Sequence, residues 1–388
     1  MAPVSVAEPG VGALDHIREL NVVTPVRDHM DVVELTQRLV EIPSHENEDP
    51  AGDYIERWLE KRTDAAVERD EAGNVIARRN SGADRSVALV GHHDVVPPDN
   101  QQVVDGEYVL ERREGRLYGR GTADMKGSLA AAMIAFREAD VPGDVETILA
   151  SFVGEEAGGV GCRAAIDAGF APDYAVVGEG STGYSADGVT DVAIAHKGRR
   201  GSTVLAEGSA AHASEPETGE NAIYRASEAI DIVRGLDGPE TTVLGHDIEG
   251  SIAVTGIEGG SAWNVIPERC TFTVDERTVP GERASLDGVE TVPDVSVTVD
   301  QDLPPMACCD AEFASTVLSA AAAAQDATPE EVVKPHATDA GWLAARAGTT
   351  CVVCGAAEPG EAHTATESVS IEILQRCSDV YRRVVETV

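Results

Sequence analysis

Histidine and carboxylate residues occupy five separate positions of this sequence where short apolar segments end or begin. In chain order they are His92, His93, Asp94, Asp124, Glu155, Glu156, Glu179 and His363. Taken singly, each is more often a loop residue or a solvated acid, and Asp124 alone would make a good helix N-cap. Together they are a set of imidazole and carboxylate ligands without thiolates, which suits zinc, cobalt or manganese. Metal ions held this way activate water for hydrolysis.

The elements that must position these residues are strands of a parallel sheet. Four apolar runs are typical of buried strands: SVALVG (86–91), ETILASFVG (146–154), DYAVVG (173–178) and TTCVVCG (349–355). A helix is predicted near Asp31 and another over 125–139, so strands alternate with helices in an α/β core. Ligands of such sheets bind beyond the carboxyl ends of the strands, where the candidate residues stand.

A different pattern begins near Gly201 and predicts an inserted domain. Strands are expected at 201–208, 251–260, 270–277 and 295–300, with helices at 220–236 and 282–290. This β-α-β-β-α-β order is that of a ferredoxin-like α+β unit. We therefore expect an N-terminal extension at 1–29, a mostly parallel-sheet catalytic domain at 30–199 and 306–388, and a lid or dimerisation domain at 200–305.

The charge balance excludes some classes of partner. The chain has 68 acidic and 30 basic residues, a net charge of −38, and the acids are spread along its whole length. Such a field repels nucleic acid and anionic membranes, and it predicts a salt-loving source organism. The N-terminus lacks the pattern of a secretory signal, so a cytoplasmic location is expected. The odd number of cysteines, seven, predicts no disulfide framework, and Cys351 and Cys354 are expected to be buried.

Five motifs in collinear order resemble those of the M20 metallopeptidase family. They are GHHDVVP (91–97), GRGTADMKG (119–127), GEEAGG (154–159), VVGEG (176–180) and AHTATE (362–367). Two segments of the insert, SAAHASEPETGENAI (209–223) and GGSAWNVIPERC (259–270), resemble the lid motifs of that family. The family includes acetylornithine deacetylase, succinyl-diaminopimelate desuccinylase, aminoacylase and glutamate carboxypeptidase. The resemblance covers about residues 30–388.

This resemblance implies a role for each matching residue. One divalent ion would be held by His92, Asp124 and Glu179, and a second by Asp124, Glu156 and His363. Asp94 would orient His92, and Glu155 would be the general acid and base. His212 of one subunit would polarise the scissile carbonyl in the site of its dimer partner. Asn264 and Arg277 would contact the carboxylate side of the substrate. Strand geometry agrees, because the side chains of a His-x-Asp pair lie on one side of a strand.

The sequence therefore predicts a homodimeric hydrolase with two divalent ions, zinc foremost and cobalt or manganese also compatible. It would split an amide bond of a small N-acyl amino acid by a metal-activated water, with Glu155 as general base. A dipeptidase or carboxypeptidase of the same family is the alternative. Remoter readings are a non-catalytic binding protein and a dinucleotide-binding oxidoreductase, the latter because Gly159, Gly161 and Ala164 form a GxGxxA pattern. Departures from the family are Gly180 in place of proline, a long polar stretch before His363 and a short second lid helix.

Overall fold

Three of the predicted helices, near Asp31, over 125–139 and over 220–236, are present and begin within about two residues of the predicted start. A computed structural model describes residues 30–281 and 283–388, so the extension predicted at 1–29 lies outside the described residues. The helices are α1 (Val32–Val40), α2 (Asp49–Arg62), α3 (Gly127–Glu138), α4 (Val160–Asp167), α5 (Ala222–Arg234), α6 (Ala311–Ala323), α7 (Asp339–Trp342) and α8 (Ile371–Thr387). Within the described ranges, every helix is too short or too polar to cross a bilayer.

The strands of the described residues form one large sheet, one four-stranded sheet, one three-stranded sheet and three short pairs. The first eleven are β1 (Ala66–Arg69), β2 (Val75–Arg79), β3 (Arg85–His92), β4 (Val103–Val104), β5 (Glu107–Tyr108), β6 (Glu111–Arg113), β7 (Arg116–Tyr118), β8 (Val145–Phe152), β9 (Tyr174–Val177), β10 (Val192–His196) and β11 (Gly198–Glu207). The others are β12 (Ala211–His212), β13 (Glu240–Val243), β14 (His246–Glu249), β15 (Ser251–Gly259), β16 (Val265–Ile266), β17 (Arg269–Thr278), β18 (Val295–Leu303), β19 (Met306–Ala307), β20 (Glu331–Lys334), β21 (Thr350–Val353) and β22 (Ser368–Ser370).

The large sheet has the order β1-β2-β8-β3-β9-β21-β10-β19, with β20 also paired to β10. Its four central strands, β8, β3, β9 and β21, run parallel, and β1, β2 and β19 are antiparallel to their neighbours. These central strands are the four apolar runs of the sequence, and both of their faces are buried. The α/β class with a mostly parallel sheet is thus confirmed.

Helices cover both faces of this sheet, which explains the continuous apolar character of its strands. On one face, α3 packs against β3, β8, α1 and α8. On the other face, Cys162 and Ala165 of α4 and Ala340 of α7 join a cluster with alternate residues of the central strands. All seven cysteines are free, and Cys351 and Cys354 are buried in β21 and just beyond it, as predicted.

The smaller sheet has the order β15-β17-β11-β18 and is antiparallel throughout. In order of sequence these are its second, third, first and fourth strands, which is the strand order of a ferredoxin-like sheet. Helix α5 covers it through Ala222, Ala226 and Ala229. The helix predicted at 282–290 is wrong: the described part of that segment is irregular and ends in a short turn, Val289–Thr291. Gly281, Gly288 and Pro293 leave too few residues there for a stable helix.

The carboxyl ends of the central strands are joined to one another by backbone hydrogen bonds. The amide of His93 donates to Phe152 O at 3.0 Å, and the amide of Gly178 donates to Val90 O at 2.9 Å. The amide of Cys354 donates to Val177 O, also at 3.0 Å. Because these bonds fix the strand ends side by side, the residues that follow β3, β8, β9 and β21 emerge at one edge.

Candidate active site

Three of the predicted ligands form a first group of side chains that could hold a metal ion. His92 Nε2 lies 3.2 Å from Asp124 Oδ1 and 3.3 Å from Glu179 Oε1. One potential ligand atom from each of the three lies within 4.8 Å of the other two. His92 ends β3, and Glu179 follows β9 by two residues, so neighbouring parallel strands bring them together.

A second group shares Asp124 with the first. His363 Nε2 lies 3.0 Å from Asp124 Oδ2 and 3.0 Å from Glu156 Oε1, and one potential ligand atom from each of these three lies within 4.8 Å of the other two. Asp124 therefore directs Oδ1 at one group and Oδ2 at the other. It does not cap a helix: the N-cap of α3 is Lys126, and Asp124 lies two residues before it in a kinked segment, with φ −124° and ψ 99°. A single carboxylate facing two ligand groups is the arrangement of a bridging ligand.

The hydrogen bonds of His92 show what this arrangement requires. Its Nδ1 lies 3.1 Å from the backbone oxygen of Asp94 and 3.2 Å from Asp94 Oδ1, both acceptors, so Nδ1 carries a proton. In the neutral ring, Nε2 then turns its lone pair toward the oxygens of Asp124 and Glu179. Two carboxylates and a lone pair repel one another unless a cation lies between them. The donor set thus fits a divalent metal ion.

The pKa values of both histidines reflect the same surplus of negative charge. Burial opposes the charged form of His92, but the carboxylates of Asp94, Asp124 and Glu179 outweigh it and raise its pKa well above the ordinary range. Hydrogen bonds to Asp124 and Glu156 raise the pKa of His363 to about 10. Both rings hold a proton strongly in the metal-free protein, so a metal ion must displace protons to bind.

Asp94 holds two parts of the centre at once. Besides standing behind His92, its Oδ2 accepts the amide of Glu156 at 3.0 Å. The side chain is buried, with 5% of its surface exposed. Asp94 therefore fixes both the ring of His92 and the backbone that carries Glu155 and Glu156. His93 does not join the centre, since it is buried with Nδ1 on Ser151 Oγ at 2.8 Å.

Glu155 lies beside the two ligand groups without being a member of either. It lines the same cavity as Asp124, Glu156 and Glu179, and belongs to neither group. Burial, reinforced by the negative charges of Glu179 and Asp339, raises the pKa of Glu155 well above its usual range. A carboxyl group with a raised pKa next to a metal centre is suited to accept and return a proton.

The cavity has a volume of about 460 Å³ and opens between the large sheet and the inserted sheet. Its floor carries residues of the two candidate ligand groups, and its walls include Arg199, Gln301 and Leu303 from β11 and β18. Lys334 and His336 contribute further basic groups to the lining. A volume in this range suits a small molecule or a short peptide.

Three of the predicted residues are not at this cavity. His212, Asn264 and Arg277 are absent from its lining among the described residues. His212 is exposed, with Nδ1 on Ser214 Oγ at 2.6 Å, and Asn264 is exposed in a loop of the insert. Arg277 on β17 donates from Nε to Asp275 Oδ1 at 2.8 Å. The structure thus brings together the predicted metal ligands, Asp94 and Glu155, but not these three.

The structure also reveals a residue that the sequence did not indicate. Lys334 is buried at the end of β20 and donates to Glu179 Oε2 at 3.3 Å and to Gly180 O at 3.0 Å. Glu179 thus turns Oε1 to His92 and Oε2 to Lys334. The sequence signal that could have identified Lys334 is the rarity of lysine: only four lysines occur in the chain, and this one ends a short apolar strand.

The glycines of the GxGxxA pattern pack against protein atoms. A Cβ at Gly161 would lie 2.5 Å from Val153 O and 2.2 Å from Asn74 Oδ1, and one at Gly159 would lie 2.6 Å from the ring of Trp342. These glycines are explained by the close approach of α4 to the sheet. The departure at Gly180 also has a packing reason, since a Cβ there would lie 2.7 Å from Ala357.

Comparisons with known proteins agree with this geometry. Residues 88–387 match the model of the peptidase family M20/M25/M40. The chain is 30% identical over 372 residues to an acetylornithine deacetylase of Myxococcus xanthus, covering 87% of this chain and 91% of the relative. It is 28% identical over 346 residues to a succinyl-diaminopimelate desuccinylase of Acidiphilium cryptum, covering 82% and 87%.

A solved structure shares the fold. The aminopeptidase PepT of Bacillus cereus superposes with a TM-score of 0.72 at 19% identity, covering 92% of this chain and 97% of that one. At that identity the likeness concerns the fold alone, whereas the family match covers most of the chain. The chain therefore belongs to the peptidase family M20/M25/M40 and is a metal-dependent hydrolase of amide bonds.

Proposed function

We propose that this protein removes the acyl group from a small N-acyl amino acid, as a deacetylase or desuccinylase, with two divalent cations bound at the centre. The observation that carries the proposal is Asp124, whose two oxygens face two separate ligand groups. The names of the two relatives, acetylornithine deacetylase and succinyl-diaminopimelate desuccinylase, support this substrate class. The cavity volume of about 460 Å³ is consistent with a substrate of that size.

The ligand roles follow from the two groups. His92, Asp124 and Glu179 would hold one ion, and Asp124, Glu156 and His363 the other. Because the donors are imidazole and carboxylate groups, zinc is the first choice, with cobalt or manganese compatible. When bound, such a pair of ions supplies Lewis-acid activation of the water and of the scissile carbonyl.

The chain's own contribution to the reaction is proton transfer and orientation. Glu155 would take the proton from the attacking water and deliver it to the leaving amine, as its raised pKa and its place in the cavity allow. Asp94 would keep the ring of His92 in the tautomer that leaves Nε2 free. Arg199 and Lys334 would attract the anionic part of the substrate to the cavity.

We further propose a homodimer in which His212 acts in the partner's cavity. His212 is exposed on the insert and does not line the cavity of its own chain. Strand β15 is an edge of the inserted sheet, and the exposed Ile257 and Trp263 lie on it and beyond it. An unpaired edge with apolar neighbours favours pairing with a second copy. His212, Asn264 and Arg277 would then complete the oxyanion and carboxylate contacts of the partner's site.

Mixed dimers test the role of His212. His212→Ala and Glu155→Gln variants are each expected to be inactive, yet their mixture restores one complete site per heterodimer. At equal amounts, activity should return to about a quarter of the wild-type value, because half of the dimers are mixed and each has one intact site. No recovery after subunit exchange, or a fully active monomer, would reject this arrangement.

The substrate class is tested by a hydrolysis screen of the zinc-, cobalt- and manganese-loaded protein. The panel should contain acetyl-ornithine, succinyl-diaminopimelate, other N-acyl amino acids and dipeptides. The proposal expects the highest kcat/KM on an N-acyl amino acid, with loss of turnover in Glu155→Gln. Preferential cleavage of dipeptides or of C-terminal residues would instead assign the peptidase alternative.

A further inference from the structure

A buried ion pair lies next to the metal centre without belonging to either ligand group. Glu367 has a fully buried side chain, and its Oε2 lies 2.5 Å from Nη1 of Arg120, which is 4% exposed. Carboxylates are abundant on the surface of this chain, but one enclosed by protein needs several donors to remain charged. The hydrogen-bond partners of Glu367 therefore indicate its role.

Those partners are the backbone of the bridging ligand. Glu367 Oε1 accepts the amide of Ala123 at 3.0 Å and the amide of Asp124 at 3.1 Å. The backbone oxygen of Glu367 accepts the amide of Gly119 at 3.0 Å. Glu367 thus binds both ends of the segment 119–124, on which Asp124 is carried.

The same residue belongs to the loop that supplies His363. Glu367 lies four residues after His363 and 243 residues from Asp124 in the chain. His363 has a positive φ of 62°, and 51% of its side chain is exposed, so its own packing constrains it weakly. Arg116 holds the outer part of this loop through Glu358 and Glu361. Glu367 joins the loop to Asp124 itself.

We propose that Glu367, charged and oriented by Arg120, is a positioning residue that sets Asp124 and His363 at the spacing a metal ion requires. This rests on the proposed two-metal function. Glu367 supports the Asp124 backbone for both groups, but it supports His363 for one of them. The affinity of the group Asp124, Glu156 and His363 for a divalent ion should therefore depend on Glu367 more strongly than that of the other group.

The test is metal binding by Glu367→Gln, measured in chelator-buffered zinc solutions with the ions per chain counted by mass spectrometry. Glutamine keeps an oxygen for the two amides but turns an NH2 group toward Arg120. Outer partners of ligands typically contribute about 10- to 100-fold to metal affinity. We expect one of the two ions to bind about 10- to 100-fold more weakly, and the other to stay close to the wild-type affinity.

The inserted sheet supplies a matched control. Glu276 is also fully buried, with Oε2 at 2.5 Å from Arg200 Nη2 and Oε1 accepting the amide of Ala284 at 3.0 Å. Glu276→Gln removes the same charge from the same kind of pair, away from the metal centre. It should lower the melting temperature comparably and leave both zinc affinities unchanged. A general effect of disrupting a buried ion pair is thereby separated from positioning.

The double variant His363→Ala/Glu367→Gln locates the effect. If Glu367 acts through His363, the double variant should bind zinc as His363→Ala alone does. If Glu367→Gln does not fold, Glu367→Asp keeps the charge, withdraws the oxygens by one methylene, and should show the same selective loss. Glu367 variants that retain both affinities, or lose both equally, overturn the proposal.

The two proposals fail in different ways. Wild-type protein that binds a single zinc ion would refute the two-metal function, and the positioning role would then be judged by whether Glu367→Gln weakens that ion more than Glu276→Gln does. Wild-type protein that binds no divalent ion would overturn both. Two tight ions in the wild type, with Glu367→Gln indistinguishable from Glu276→Gln, would overturn the positioning role alone.

Discussion

Replacing Glu155 by glutamine should stop turnover while leaving the metal centre intact. Glutamine has nearly the same shape but cannot accept the proton of the attacking water. The change also removes one negative charge from beside Glu179, Asp124 and Asp339, whose repulsion contributes to the raised pKa of Glu155. The pKa of Glu155 is raised on balance despite the attraction of His92, so burial and repulsion outweigh the attraction that is lost, and the variant should be at least as stable as the wild type.

The expected magnitude follows from the role of a general base. A positioned acid or base contributes about 10²- to 10⁴-fold, which corresponds to about 3 to 5 kcal/mol of activation free energy. Glu155 is not a ligand in either group, so kcat should fall by this factor while KM changes little. The neighbouring change, Glu156→Gln, alters a ligand that contacts His363 at 3.0 Å and should weaken metal binding as well.

The assay compares the two variants at saturating zinc and again after dialysis. Glu155→Gln should keep two ions per chain with kcat reduced at least about 100-fold, whereas Glu156→Gln should lose an ion on dialysis. Glu155→Gln retaining more than about a tenth of the wild-type kcat would refute its role as the base. Loss of an ion from Glu155→Gln would instead show that it is a ligand.

Three further predictions concern the centre, the fold and the surface. Asp94→Ala should weaken metal binding about 10- to 100-fold in chelator competition, because it removes the carboxylate oxygen that lies 3.2 Å from His92 Nδ1 and the acceptor of the Glu156 amide; unchanged affinity would contradict this. Burial lowers the pKa of His196 to about 4, below the ordinary value of about 6.5, so the unfolded chain binds its proton first as the pH falls. The free energy of unfolding should accordingly lose up to about 3 kcal/mol between pH 6.5 and 4, and less in His196→Asn; equal slopes in denaturant titrations would contradict this. With a net charge of −38, the melting temperature should rise between dilute and molar KCl, as the Debye length shrinks from about 10 to about 3 Å, and a flat salt response would count against this screening.

The central sheet and its ligands could be predicted because one physical rule covers both. Within runs such as SVALVG and DYAVVG, the stretches VALV (87–90) and AVV (175–177) are apolar at every residue, which is typical of strands buried on two faces. Parallel strands place their carboxyl ends at one edge, so the residues following each run had to come together. His92 and Glu179 meet for this reason, although 87 residues separate them in the sequence.

Other features depend on contacts that local sequence patterns do not encode. Lys334 and Glu367 are single charged residues in a highly charged chain. The rarity of lysine and the motif AHTATE (362–367) single them out, but neither signal shows which atoms they contact. Their importance comes from partners 155 and 243 residues away, Glu179 and Asp124. The helix prediction over 282–290 was wrong for a different reason. In the described part of that segment, the few apolar residues pack on the inserted sheet as an irregular chain rather than as a helix.

Local sequence patterns also do not predict which residues line the cavity walls. Arg199 lies on β11 and Gln301 on β18, and both strands alternate between the two faces of the inserted sheet. Periodicity indicates that such strands exist, but it does not say which end of the sheet lies over the metal centre. Arg277 pairs with Asp275 on the same strand and lies outside the cavity of its own chain, so its predicted contact with the substrate stays a prediction for the partner's cavity.

The account depends most on two cations sharing Asp124. Anomalous diffraction from crystals of the zinc-loaded protein, measured on both sides of the zinc absorption edge, tests this directly. We expect two peaks about 3.5–4 Å apart, one beside His92 and Glu179 and one beside Glu156 and His363, with Asp124 between them. A single peak, or peaks away from Asp124, would contradict it.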